Sequence, residues 1–327
     1  MKRLRVGLTY NLKRIDAHRD DAEAEYDSPK TIAALAATIA AHGHRVVRLE
    51  ANARLPVRLA RARVDLVFNL AEGGVGRSRE AHVPALCELL GIPYTGSDPA
   101  ALCVTLDKAL GKRILRDGGV PTPDFLVCET GREPLPRGWR FPAIVKPNLE
   151  GTSKGITAAS VVDDEAAMRR RCRAMIRRYR QPAIVERYVT GREFTLGVVG
   201  WPRPTAFPPM EVVFLRPGKR TVYEYSLKQD WVGNVEYVCP ARIPRALDAA
   251  MRRLALETFR LFGCRDVARV DFRVDARGRP WVIEINPLPG LTPGYSDLVL
   301  NAAAVGVGYE ELIGRILDGG LRRRAGG

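Results

Sequence analysis

The segment WVIEINPLPG, residues 281–290, places Glu284 and Asn286 two apart in what reads as a β-strand. Side chains alternate faces along a strand, so both point the same way, opposite Ile283 and Ile285. The segment before it, ARVDFRVD, sets Arg269, Asp271 and Arg273 on one face, with Val270, Phe272 and Val274 on the other. The link Asp275-Ala276-Arg277-Gly278 has hairpin chemistry, which makes the two strands antiparallel neighbours and lets Asp271, Glu284 and Asn286 converge. Two carboxylates and an amide are hard oxygen donors, suited to Mg²⁺, which keeps several waters and takes phosphate oxygens. The carboxylates could equally pair with arginines on a wet sheet face.

A second group lies in VKPNLEGTSKG. Lys146 ends a strand, and the loop after it carries Gly151, Thr152, Ser153, Lys154 and Gly155, whose N–H groups and hydroxyls could cradle phosphates. The order is not that of a Walker A loop, and a plain surface hairpin fits the same spacing. The chain has only nine lysines among 52 basic residues, and two of them fall here. A third group, AIVERYVTGREFTLGVV, brackets a turn with Glu186 and Glu193, carboxylates able to accept from an adenine amino group and ribose hydroxyls.

The elements that must carry these groups follow from periodicity. RVGLTYNL, then TIAALAATIAAHGHRVVRL, reads as a βαβ unit; VDLVFNL, the loop AEGGVG, a helix around 79–90 and IPYTGS extend it into an open α/β sheet with ligand loops at its strand ends. Glycines 73, 74 and 76 do not form a dinucleotide fingerprint. One helix is expected over about 99–117, then strands in FPAIVKPN, GITAASVV and PAIVERYV around a basic helix at 163–180. From Gly191 onward the strands read as largely antiparallel, interrupted by a helix at 245–262, and LRRRAGG reads as a frayed tail. Three units result: 1–98, 99–189 and 190–327.

Composition narrows the function classes. At 327 residues and 46% hydrophobic the chain supports real cores, and no apolar run approaches a membrane span. The start has a basic lead but too short an apolar stretch for a signal peptide, so a cytoplasmic location is expected. Six scattered cysteines and four histidines form no zinc or disulfide pattern. The net charge of +15 is arginine spread around helices such as RRRCRAMIRRYR, without aromatic interleaving, which argues against a nucleic-acid surface.

Taken in order, DLVFNL, IPYTGSDPAALCVTLDK, GGVPTPDF, FPAIVKPNLEGTSKGI, IVERYVTGREFTLGVV, YEYSLK, VEYVCPA, ARVDFRVD and EINPLPGLTP resemble the D-alanine–D-alanine ligase family of the ATP-grasp superfamily, over about residues 64–295. The resemblance implies an ATP-grasp fold, α/β and α+β, with an N-terminal parallel α/β domain. It implies an ATP-dependent ligase that joins a carboxylate to an amine through an acyl phosphate, in cell-wall peptidoglycan synthesis. ATP and two Mg²⁺ ions, replaceable by Mn²⁺, would be the cofactors. Lys108 and Lys146 match the phosphate-binding lysines, and Thr152 and Ser153 the phosphate-covering loop. Glu186 with Val189 resembles the adenine hinge, Glu193 the ribose contact, and Lys228 the mobile-loop lysine near the γ-phosphate. Asp271, Glu284 and Asn286 match the metal ligands, and Arg269 with the Gly290 backbone the oxyanion-stabilising pair. Partners would be small amino acids or peptides, with neither nucleic acid nor membrane, and a homodimer is compatible.

Departures from the family pattern lie on the substrate side. The glycine-rich opening with its serine and glutamate is not visible, leaving Glu23, Glu25 or Asp27 to hold an amine. Glu72 stands where the family has histidine, and the carboxylate-holding serine is shifted by one position to Ser296. A ligase for another amino acid or dipeptide therefore competes with D-alanine specificity. A non-catalytic nucleotide- or nucleic-acid-binding protein is the remote alternative.

Overall fold

The computed structural model describes residues 3–14, 21–215 and 233–325. Three sheets organise it. In the first, β1 (Arg5–Tyr10) lies between β2 (Arg45–Glu50) and β3 (Leu66–Asn69), all parallel, with Tyr94 bridging to Val67 beyond β3. The connecting helices are α1 (Pro29–Ala41), α2 (Leu55–Ala62) and α3 (His82–Leu89). Helix α1 starts where Ser28 accepts from the Thr31 N–H and Pro29 presets the first turn. Its Ile32, Leu35, Ala36 and Ile39 then recur at helical spacing and bury one stripe.

The sequence reads one helix over 99–117, and the structure has two, α4 (Pro99–Leu106) and α5 (Lys108–Asp117). The break is Asp107, extended at φ −80° and ψ 97°, whose carboxylate caps the Leu110 N–H and accepts from the Asn148 amide. An N-cap inside an apolar run restarts the helix and aims Lys108 at the cleft.

The second sheet runs β4 (Phe125–Cys128), β7 (Ala183–Arg187), β5 (Ala143–Pro147), β6 (Val161–Val162), packed on α6 (Glu165–Tyr179) through Met168, Cys172 and Met175. The expected strand GITAASVV shrinks to Val161–Val162, because residues 158–160 close into a 3₁₀ turn capped by Thr157.

The third sheet is antiparallel: β11 (Val235–Val238), β10 (Met210–Phe214), β8 (Gly191–Val199), β12 (Val267–Asp275), β13 (Pro280–Asn286), with β9 (Thr205–Ala206) on β8. Helix α7 (Arg245–Leu261) covers one face through Met251, Leu254, Ala255 and Phe259. Gly191 joins β7 to β8 under the carbonyl of Val274, where a Cβ would lie 1.9 Å away, so this turn admits no side chain.

Two last helices, α8 (Asp297–Ala303) and α9 (Tyr309–Ala325), return to the first sheet. Leu298, Leu312, Ile313 and Ile316 share a core with Leu8, Leu35 and Phe68, so both ends of the chain close one unit. The tail read as frayed is helical to Ala325. Arg323 reaches the fully buried Asp266 at 2.7 Å and the Tyr94 carbonyl at 2.8 Å, which is why the last turn holds. Among the described residues no helix is long and apolar enough to cross a membrane.

Candidate functional site

Two cavities meet between the sheets. One, of about 330 Å³, opens toward the first sheet and is lined by residues such as Glu25, Glu72, Glu80, Gly290 and Ser296. The other, of about 110 Å³, lies between the second and third sheets, against Lys146, Ser153, Lys154, Glu186, Val189, Glu193 and Asp271. Lys108, Gly151, Arg269, Glu284 and Asp297 line both and form the wall between them.

The smaller cavity is cationic over a buried carboxylate. Glu186 is 1% exposed and pairs with Lys146 at 2.7 Å and Lys112 at 3.0 Å, both also buried. Burial would raise its pKa, but the two lysines outweigh that and hold the carboxyl below its ordinary range. Lys146 is correspondingly raised against its own burial, by Glu186 and then Glu284. Burial wins at Lys112, pushed down to about 8 although it donates to Glu186, Thr122 and the Ile283 carbonyl. The resemblance makes Glu186, with Val189, the adenine hinge; both of its carboxylate oxygens here engage lysines. Glu193, at the other end of the turn, pairs with Arg273 at 3.3 Å.

The loop between β5 and β6 is no plain surface hairpin. Lys154 is 9% exposed and pairs with Glu150 at 2.6 Å, and the Gly151 N–H donates to Glu25 at 2.7 Å. Thr152 and Ser153 take positive φ, 48° and 58°, a shape costing about 1 kcal/mol per residue outside glycine and common where a site over-determines the backbone. Thr152 faces the larger cavity and Ser153 the smaller.

At the dividing wall β12 and β13 pair Asp271 with Glu284 and Arg269 with Asn286. Strict alternation fails once: a register shift between Asp271 and Phe272 turns Val282 into the core while Ile283 lines the smaller cavity beside Glu284. The expectation that Ile283 packs opposite Glu284 is thereby corrected, since a bulge re-aims the residues beside it. Arg269 grips Asp271 in a two-pronged fork, 2.9 and 2.8 Å, and reaches Asp297 at 3.5 Å. Burial opposes its charge, but Asp271, Asp297 and Glu284 outweigh burial and hold it protonated. Thr195 and Asn286 also donate to Asp271, and Lys108 meets Glu284 at 3.3 Å while donating to the Glu150 carbonyl at 2.5 Å. The donor chemistry of Asp271, Glu284 and Asn286, all oxygen-bearing with neither sulfur nor imidazole beside them, fits a magnesium ion.

In the larger cavity Ser296 accepts from the Thr292 N–H at 2.9 Å and lies so close to Gly290 that a Cβ there would meet its Oγ at 2.8 Å. Glu25 is engaged by Arg79, 2.9 Å to each oxygen, besides the Gly151 N–H. Glu72 and Glu80 stand beside it, the three carboxylates within 4.8 Å of one another. Burial first, then mutual repulsion, pushes Glu72 well above the carboxylate range and Glu80 up to about 8. Lys112 and Glu80 were not anticipated from sequence; Lys228, which was, lies outside the described residues.

Residues 114–318 match the family model described as D-ala D-ala ligase C-terminus. The chain is 38% identical over 263 residues to the uncharacterised protein y4sG of Sinorhizobium fredii, covering 80% of this chain and 76% of that one. It is 36% identical over 299 residues to a D-alanine–D-alanine ligase of Anaeromyxobacter, covering 89% and 91%. A crystal structure of D-alanine–D-alanine ligase from Bacillus anthracis complexed with ATP superposes with a TM-score of 0.77 at 24% identity, over 99% of both chains. The parallel first sheet, the antiparallel sheets behind it and these likenesses agree: the chain belongs to the D-alanine–D-alanine ligase family.

Proposed function

We propose that this protein is an ATP- and Mg²⁺-dependent ligase that activates an amino-acid carboxylate as an acyl phosphate and transfers the acyl group to an amine, as D-alanine–D-alanine ligase does. The observation that carries this reading is the shared wall: Lys108, Arg269 and Glu284 face both cavities, so a phosphoryl group held in one lies against a substrate held in the other. In this division of labour residues 1–98, closed by the returning helices α8 and α9, form the substrate side, and 99–189 with the rest of 190–327 form the two halves that grip the nucleotide.

The chemistry follows from the side chains. A carboxylate oxygen attacks the γ-phosphorus, the bond to the bridging oxygen breaks, and ADP takes the electron pair. Such transfer needs positioning and charge neutralisation more than covalent help. Lys146, Lys154 and Lys108 supply cations that Glu186, Glu150 and Glu284 hold in place. Magnesium, held by Asp271, Glu284 and Asn286, would add charge neutralisation on the phosphate oxygens. The amine nitrogen then attacks the acyl carbon, inorganic phosphate leaves with the electron pair of the broken C–O bond, and the proton lost from nitrogen passes to the departing phosphate or to water. Arg269, locked by Asp271, and the Gly290 N–H are the donors for the oxyanion of that step, each worth about 3–4 kcal/mol when such donors are removed.

A phosphate-release assay with an amino-acid panel tests this. D-alanine is the first substrate to try, and Lys146→Ala and Glu284→Ala should each abolish release. Retained activity in either variant overturns the site assignment. One observation favours a different amino acid as second reading: the cluster of Glu25, Glu72 and Glu80 in the larger cavity, more carboxyl groups than the single ammonium of D-alanine can match.

A further inference from the structure

Carboxyl groups outnumber cations in the larger cavity: Glu25, Asp27, Glu72, Glu80, Glu284 and Asp297 line it, against Lys13, Lys108 and Arg269. Glu25 is matched by Arg79, which also lies 3.8 Å from Glu150, itself paired with Lys154. Glu80 is 8% exposed, and neither it nor Glu72 has a hydrogen bond or ion pair among the described residues, yet both line the cavity. Asp27, on the same wall, is raised to about 7 by burial. Buried carboxylates are ordinarily paired, because an uncompensated buried charge costs several kcal/mol. The empty site meets that cost by keeping protons on the pair, and a cation bound in the cavity would take their place, so two carboxyl groups lining it without a protein partner point to a cationic ligand.

The charge count decides which kind. An α-amino acid with a neutral side chain brings one ammonium and one carboxylate, and its carboxylate is consumed at the wall beside Lys108 and Arg269. Its single ammonium answers one of the two free carboxylates and leaves the other unmatched. A second ammonium, with three N–H donors, completes the match. We propose that Glu72 and Glu80 form a subsite for a protonated side-chain amino group, so that one substrate of this ligase is a diamino acid. The proposal rests on the ligase reading for the word substrate, while the subsite itself stands on the unmatched carboxylates. Glu80 sits on the 3₁₀ turn Arg79–Ala81, whose neighbour Arg79 ties Glu25 and the Leu149 carbonyl together, so a rigid bridge between the first and second sheets presents it.

The test compares ornithine and lysine with norvaline and norleucine, which keep the carbon chain and lack the terminal amine, using both enantiomers of each. With the full chain and a non-hydrolysable ATP analogue, calorimetry should show ornithine or lysine binding at least tenfold more tightly than its neutral counterpart. Glu80→Gln and Glu72→Gln, nearly isosteric, should bring that ratio close to one. In phosphate release the kcat/KM preference for the diamino acid should collapse in the same variants. Equal binding of norvaline and ornithine, or a preference untouched by both variants, overturns the subsite. Binding of Mg²⁺ alone that disappears in Glu80→Gln and competes with ornithine also overturns it, in favour of a metal site. Ornithine binding without phosphate release from any amino acid supports the subsite and defeats the ligase reading instead.

Discussion

Replacing Glu186 by glutamine is the sharpest perturbation of the nucleotide side. The carboxylate is fully buried and shared by Lys146 and Lys112, so glutamine leaves two buried ammonium groups without a counter-charge. Breaking a buried ion pair from one side costs about 3–5 kcal/mol. An unfolding entropy of about 2.1 cal/mol/K per residue, taken over the whole chain, converts this into a Tm lowered by roughly 4–7 °C. The two lysines separate stability from binding. Lys112 does not line the smaller cavity and Lys146 does. Lys112→Met and Lys146→Met each leave Glu186 one partner, so each should cost only about 1–3 kcal/mol of stability. If the proposed function holds, Lys146→Met additionally removes a charge-assisted phosphate contact of about 1.5–3 kcal/mol and should weaken nucleotide binding roughly ten- to a hundredfold or slightly more. Lys112→Met should leave affinity within about fivefold, since it removes no contact at the cavity wall. Thermal unfolding and titration with a fluorescent ATP analogue read both quantities. Equal loss of affinity in the two methionine variants, or an undiminished Tm in Glu186→Gln, would refute the assignment of Lys112 as a positioning residue behind Lys146.

Three further outcomes are expected. Gly290→Ala sets a Cβ 2.8 Å from the Ser296 Oγ and should break its bond to the Thr292 N–H, lowering kcat/KM for the amino acid at least tenfold while nucleotide affinity holds; parallel titrations check it. Asp266→Asn leaves Arg323 without its buried carboxylate and weakens the tie to the Gly96 N–H, so chemical denaturation should show a loss of about 3 kcal/mol. For substrate-free protein, burial first, then Glu25 and Glu150, raise the Glu80 pKa to about 8 against the opposing pull of Arg79 and Lys108, compared with 4.5 for the free carboxyl. Between those values the folded state keeps a proton that the unfolded chain has lost, so stability falls as pH rises. Relative to Glu80→Gln, the wild type should lose up to about 1.4 kcal/mol per pH unit from pH 4.5 to 8 in denaturant midpoints, and a flat difference would contradict the burial of that charge.

What could be read from sequence and what could not divide along a physical line. Asp271, Glu284 and Asn286 were legible because a short hairpin joins their strands, so alternation along the chain already fixes who faces whom. The bulge that turns Ile283 to the cavity is a one-residue shift against that alternation, and no residue type in WVIEIN marks it. The helix break at Asp107 did carry a signal, an N-capping residue inside an apolar run, but an apolar period on both sides masks it. Lys112 follows Lys108 by one helical turn and reads as the exposed face of α5; only β7, 74 positions on, supplies the Glu186 that draws it inside. Glu80 in GRSRE looks like loop charge for a similar reason: Glu72 meets it only because the loop between them folds back, and Glu25 arrives from the other side of α1 and β2. Both missed residues are buried ionisable groups, and such a group keeps its charge only through partners or a ligand, never through its local sequence. Lys112 has its partner inside the fold. Glu80 has none among the described residues, which is the physical reason to look for its partner among the substrates.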